Sequence, residues 1–262
     1  MTAAEHIPDW LGVAASVLLV LIAVAVSVRA SLGLTRELLW AALRAFVQLL
    51  AVGSVLTLLF TRTGLLGALA WVAGMVVIAG FVAAGRSREL PRGRSVAWIA
   101  VGVAASVTLG VLLVLGVVEP VPSVVVPVGG MVVSGAMTAT NLTMRRMADI
   151  AEQQRPDIEA RLALGLTASQ AMAPHLQSAV KTALLPAIDS TKVVGLIALP
   201  GAMTGLILAG VAPIDAIRYQ IVVMYMLLAA ASVAAMLAAR LVRRALFDDA
   251  DRLLRVAPPV RR

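Results

Sequence analysis

Seven apolar stretches, each long enough to cross a bilayer, limit what this chain can fold into. They are Trp10–Val28, Leu38–Phe60, Gly64–Ala84, Val96–Val118, Val121–Met144, Val193–Val211 and Ile217–Ala239. A helix of about 20 residues at ~1.5 Å rise covers a hydrocarbon core of ~30 Å. Lipid offers no hydrogen bonds to the backbone, so such stretches must satisfy their own peptide groups. The expected fold is therefore all-α, a polytopic transmembrane bundle of seven spans. Nineteen of the 22 lysines and arginines fall in the loops after the first, third and fifth spans and in the C-terminal tail. Arg62 and Arg218 lie on the other side, and Arg44 lies inside the second stretch. Cytoplasmic loops retain basic residues, which places the N-terminus out and the C-terminus in.

A chain that is 61% hydrophobic and 14% charged has no place in water as a soluble domain. Its net charge of +8 is accounted for by topology and by anionic lipid, and no nucleic-acid partner is expected. The absence of cysteine excludes disulfides, thiolate metal sites and thiol catalysis. His6 and His175 stand on opposite sides and cannot share a metal. Glu5 and Asp9, rather than a basic region, precede the first span, which reads as a retained helix and not a cleaved signal.

The organisation is that of one transmembrane domain over residues 1–262, with a cytosolic segment 145–192 and a basic tail 240–262. The outer loops are hardly more than turns, so neighbouring helices pack as hairpins. The basic, glycine-containing link Arg86–Ser95 serves as a topology anchor. Within 145–192, Ile158–Leu164 has a helical pattern that Gly165 can close with a left-handed cap. Thr167 with Gln170 has the form of a capping box. Met172, Leu176, Val180 and Leu184 then recur every four residues as one stripe. Pro174 is expected to kink or divide that helix and Pro186 to end it. The segment so formed should lie against the cytosolic ends of the bundle.

Three spans carry candidate chemistry. Ser134, Thr138 and Asn141 share one face of the fifth, beside Met131, Met137 and Met144. Such an edge is either interhelical glue or a substrate-lining face, where thioether sulfur and hard oxygen could both ligate. The sixth is interrupted at Pro200-Gly201, read either as a hinge or as a packing kink, with Met203 and Thr204 following as path candidates. Arg44 and Gln48, one turn apart in the second, fit either a polar network or snorkelling to the interface.

No Gly-x-x-x-x-Gly-Lys-[Ser/Thr] loop, His-Glu-x-x-His or Gly-x-Ser-x-Gly occurs, so catalytic residues, and an enzyme, are not expected. The spans as read contain no carboxylate, which disfavours a secondary transporter or channel working without ATP. That reading nevertheless stays open as the alternative, as does a scaffold subunit.

Glu159-Ala160 followed by Gly165 resembles the start of the EAA loop by which ABC importer permeases dock their ATPases. The resemblance widens with Leu-Pro-Ala-Ile-Asp-Ser-Thr-Lys, Gly-Leu-Ile-Ala-Leu-Pro-Gly-Ala-Met-Thr-Gly, Ile-Leu-Ala-Gly and Arg-Tyr-Gln between Ala183 and Gln220. With Arg44-Ala-Phe-Val-Gln48 and the run from Gly130 to Asn141, the chain resembles the FetB-like family of iron-export ABC transporter permeases. Plant aluminium-tolerance membrane proteins belong to the same group. The resemblance implies a permease subunit, working as a homodimer in the plasma membrane (the inner membrane in bacteria). Its partner would be a separate cytosolic ATPase that holds ATP-Mg, the permease itself binding no cofactor. Its cargo would be iron or another metal ion, moved outward. Glu159, Ala160, Gly165 and Thr167 would form the coupling contact. The resemblance carries over no metal ligand.

Overall fold

The computed structural model describes residues 9–62, 64–85 and 90–256. They form nine α-helices among the described residues: α1 Trp10–Arg29, α2 Thr35–Arg62, α3 Leu65–Gly85, α4 Gly93–Val114, α5 Pro122–Gln153, α6 Arg155–Ala163, α7 Ala168–Val193, α8 Gly201–Leu208 and α9 Pro213–Leu246. His6, part of the Arg86–Ser95 link and the end of the tail lie outside the described residues. Five of these helices, α1, α3, α4, α5 and α9, are both long and apolar enough to cross a membrane. The second predicted span falls within α2, whose 28 residues exceed the length a bilayer core needs.

Helices α3, α4, α5, α7 and α9 pack into one bundle, while α1 and α2 pack chiefly on each other. The seams are built from small residues. Ala230, Ala231, Ala234, Ala235, Ala238 and Ala239 of α9 are buried, as are Ala97, Ala100, Ala104 and Ala105 of α4 and Ala136 and Ala139 of α5. Lipid tails are as apolar as leucine, so the bundle gains from close van der Waals contact rather than from escape from water. Close approach is most demanding at Gly129, where a Cβ would stand 2.5 Å from Cγ2 of Val72. Gly80 faces Trp98 at 2.8 Å in the same sense, and Trp98 packs edge-on against Phe81 at 4.9 Å between ring centroids. In the α1–α2 turn, the buried Ser27 hydroxyl accepts the Leu34 N–H at 3.2 Å.

Two expectations about the second half of the chain are corrected. The sixth apolar stretch, Val193–Val211, expected as a span interrupted at Pro200-Gly201, is broken over residues 194–200 and holds only the eight-residue α8. Helix α7 ends at Val193, a turn with Gly195 at φ +82° follows, and α8 begins only after Pro200, whose extended backbone caps it. Helix α7, expected to lie against the cytosolic ends of the bundle, to kink or divide at Pro174 and to end at Pro186, instead runs unbroken through both prolines for 26 residues. It packs between α5 and α9, its Val180 and Ala183 joining Val126, Val132, Ala136, Ala230 and Ala234 in one core. This insertion into the bundle supports the helix where each proline removes a hydrogen bond.

Candidate functional site

The polar edge of α5 opens onto a groove of about 630 Å³ between α5, α7 and α9. Pro127, Met131, Ser134 and Thr138 line it from α5, Pro186 and Ser190 from α7, and Leu227 and Ala231 from α9. Thr138 donates to the Ser134 carbonyl at 3.0 Å and Ser190 to that of Ala187 at 3.0 Å. Each proline inside a helix leaves the carbonyl four residues earlier without its usual partner. Pro127 and Pro186 both face this groove, where irregular backbone is tolerated at membrane depth. The sequence reading uses Pro186 only as a helix end and does not use Pro127, so neither was singled out for the site.

The other members of the predicted edge do not line the groove. Asn141 is buried with Oδ1 unpartnered, and Met137 is half-buried against the core. Met203 belongs to a second cavity of about 430 Å³, bounded by Thr191, Gly195, Leu199, Gln220, Met224 and Tyr225. Gln220 is buried there with both amide atoms unpartnered. A single amide in the apolar run of α9 was the signal that could have found it. Thr204 lies inside α8 and turns back on the break, its hydroxyl donating to the Leu199 and Pro200 carbonyls, both at 3.3 Å. The backbone break lies at residues 194–200, so Pro200 and Gly201 mark its downstream edge. Arg44 and Gln48 are exposed on α2 and line neither cavity. Among the described residues no cluster of three His, Cys, Asp or Glu side chains could cage a metal ion.

Packing also sets the level of α7 against α5. Residues 183–190 of α7 line the same groove as residues 127–139 of α5, inside the apolar stretch Val121–Met144. At that level the outward face of α7 is polar. Lys181, Leu185, Asp189 and Lys192 recur every three or four residues, with Thr182 beside Lys181, and all five are exposed. Asp189 and Lys192 pair at 3.5 Å. Ionised groups at a lipid-facing helix centre cost about 2.5–3.5 kcal/mol each on insertion scales.

At the end of the bundle where α5 and α9 outrun the apolar core, a second arrangement forms around α6 and the start of α7. Helix α6 ends in a Schellman closure, with Leu166 N–H on the Arg161 carbonyl at 3.2 Å, Gly165 N–H on that of Leu162 at 2.9 Å, and Gly165 at φ +89°. Two residues on, the Thr167 hydroxyl accepts Gln170 N–H at 3.3 Å while the Gln170 amide oxygen accepts Thr167 N–H at 3.0 Å. Both closures match the expectation from sequence. They hold a rigid elbow whose tip presents Leu164, 82% exposed, and Leu166. Glu159 pairs with Arg155 at 2.7 Å, and Asp157 reaches both Arg161 at 3.0 Å and His175 at 3.1 Å. Ala160 contributes its carbonyl to the Leu164 N–H.

The tail clasps this elbow, which sequence reading missed. Asp251 accepts the Ala168 N–H at the start of α7 at 3.2 Å, and Arg155 donates to the Leu253 and Leu254 carbonyls at 2.8 and 3.2 Å. Arg243 donates to the Ser169 hydroxyl at 2.7 Å. The tail turn is itself closed by Asp248, which accepts the backbone N–H groups of Arg252 and Ala250. Those bonds, the Arg252 one foremost, hold its carboxyl below the ordinary aspartate range. A lowered folded-state value means the contribution is present at neutral pH and fades as pH falls through that value.

The sequence profile described as "Uncharacterised protein family (UPF0014)" matches residues 10–247. Over 249 residues the chain is 42% identical to the UPF0014 membrane protein STAR2 of Oryza sativa subsp. japonica, covering 95% of this chain and 87% of that one. It is 38% identical to Protein ALUMINUM SENSITIVE 3 of Arabidopsis thaliana, covering 92% and 88%. It is 35% identical to the Probable iron export permease protein FetB of Escherichia coli (strain K12), covering 92% and 93%. No solved structure matches.

Proposed function

Starting from the fact that the chain belongs to the UPF0014 family of multi-pass membrane proteins, we propose that it is the permease subunit of an ABC transporter. It would export iron or another metal ion, with ATP hydrolysed on a separate cytosolic subunit. The observation that carries this reading is the elbow: a doubly capped turn with exposed leucines, clasped by the tail, set on the helix that walls the groove. Such a turn can enter a cleft on a partner and transmit its movement along α7 to α5 and α9. The missing phosphate-binding loop fits an engine on another chain. Similarity to a protein named as a probable iron export permease supports the cargo class.

In this reading the elbow end faces the cytosol, two copies stand side by side in the plasma membrane (the inner membrane of a bacterium), and an ATPase binds beneath each. Closure of the ATPases pushes α6 and α7, and the non-helical break at 194–200 lets α8 reorient as the groove changes the side to which it opens. ATP binding must favour one of the two states by several kcal/mol for the switch to be complete. Ser134, Thr138 and Met131 in the groove, and Met203 with Gln220 in the second cavity, are the contacts available to cargo along that route.

Asp189, level with the apolar stretch of α5, supports the ATP-independent reading as the alternative, since ion-coupled carriers use intramembrane carboxylates. The two readings separate on one experiment. The tagged full-length chain, extracted in mild detergent from its own membranes, should copurify with an ATP-binding subunit. Substituting Leu164 with Asp at the elbow tip should abolish that association. An extract in which no nucleotide-binding chain accompanies the protein would overturn the ABC assignment.

A further inference from the structure

The interrupted sixth stretch borders the cavity of about 430 Å³ among the end of α7, α8 and α9, apart from the groove beside α5. Gln220 lines this cavity at 4% exposure, with neither amide atom partnered. An amide so placed carries an unpaired donor and an unpaired acceptor, which a solute entering the cavity can take up. Met203 of α8 and Met224 of α9 line the same cavity and are buried, at 8% and 7% exposure. Thr191 brings oxygen from α7. Its hydroxyl donates to the Ala187 carbonyl at 2.7 Å and keeps lone pairs with which to ligate. The Thr191 carbonyl loses its helical partner, because the Gly195 N–H turns to the Ala198 carbonyl at 2.9 Å. Among the described residues no carboxylate, ammonium, guanidinium or imidazole lines the cavity.

Two thioethers with amide and hydroxyl oxygens make a soft donor set of zero net charge. Thioether sulfur selects Cu(I), whereas hard ions are suited by carboxylates, which are lacking here. An uncharged donor set in an apolar setting leaves the ion's charge uncompensated, a cost that rises steeply with valence. We propose that this cavity binds a soft monovalent cation, Cu(I) or Ag(I), held by Met203 and Met224 with Gln220 and Thr191 as its oxygen ligands. Thioether side chains are flexible enough to close on an ion of this size. Thr191 and Met203 stand on opposite sides of the 194–200 break, so reorientation of α8 would part the ligands and release the ion. That release, though not the binding, rests on the permease reading.

Ag(I) is the probe, since it shares the ligand preference of Cu(I) without its redox reactions. The full-length protein, in detergent and chloride-free buffer, is titrated with Ag(I) and the bound metal is counted by equilibrium dialysis. One tight site per chain is expected, and the chain has no cysteine to compete for the ion. Met203→Leu and Met224→Leu conserve volume and should each weaken that site by about tenfold or more. Met236→Leu, on an exposed part of α9, should leave it unchanged. Gln220→Leu should weaken it too, while the metal-free protein stays as stable to heat or becomes more so, because an unpaired amide is removed. About a hundredfold excess of Fe(II) should fail to displace Ag(I). Absence of a tight site, or a tight site indifferent to both methionine variants, would overturn the proposal. Displacement by that excess of Fe(II) would overturn the preference for a soft monovalent ion, and loss of heat stability in Gln220→Leu would overturn the part given to its amide. Binding needs neither nucleotide nor a partner chain, so failure here is distinct from failure to copurify an ATPase.

Discussion

Replacing Gly165 with valine is expected to cut ATP-driven transport about tenfold or more while leaving the protein inserted and folded. At φ +89° this residue is in the left-handed region, where a side-chain-bearing residue pays roughly 1–2 kcal/mol and a β-branched one is a genuine outlier. A Cβ there would meet nothing within 4 Å, so the effect comes from backbone strain and not from a clash. Relief of that strain opens the Schellman closure and blunts the elbow, the point at which the proposed function has a push from the ATPase received. A loss of 1.4 kcal/mol in the coupled state is about a tenfold loss of output. ATP hydrolysis by the reconstituted complex should persist but lose its response to cargo. Gly165→Asn, which tolerates the left-handed conformation, should retain most coupling. Full transport-coupled hydrolysis in the valine variant would refute the role of this turn.

The second large effect lies in the bundle. Gly129→Val should lower the thermal unfolding midpoint sharply and disperse the protein on gel filtration. The first added carbon would stand 2.5 Å from Cγ2 and 3.1 Å from Cγ1 of Val72, a stiff β-branched neighbour that cannot swing aside. Forcing α3 from α5 costs about 1–3 kcal/mol by the general behaviour of overpacked cores. Val72→Ala in the same chain should restore part of the loss, since it empties the contested space. Gly110→Ala, with nothing within 4 Å of the new methyl, should be neutral or slightly stabilising. Equal midpoints for Gly129→Val and Gly110→Ala would contradict the close α3–α5 seam.

What could be read in the sequence was what local chemistry decides. Uninterrupted apolar runs announced α1, α3, α4, α5 and α9, and the elbow was legible residue by residue because caps depend on neighbours three or four positions apart. What depends on tertiary partners was not. Lys181, Asp189 and Lys192 lower the hydropathy of α7 enough to hide that the helix expected there enters the bundle, its other face alanine and valine packed in the core. Prolines 174 and 186 read as breaks because only packing shows that the helix continues through them. The clasp on the elbow joins Asp251 to Ala168 across 83 positions, and no local pattern announces such a contact. The candidate path was half legible: Ser134 and Thr138 stand where the shared face put them, while Asn141 turned into the core and Arg44 and Gln48 stayed on a hairpin apart from the groove.

The central claim, that this chain is a gate driven from a separate subunit, is tested most directly in sealed vesicles. The purified protein is reconstituted alone or with its ATPase, and iron is followed against its gradient with and without ATP-Mg. Uphill movement should occur only when the ATPase and ATP-Mg are both present. Uphill movement by this chain alone would contradict the account.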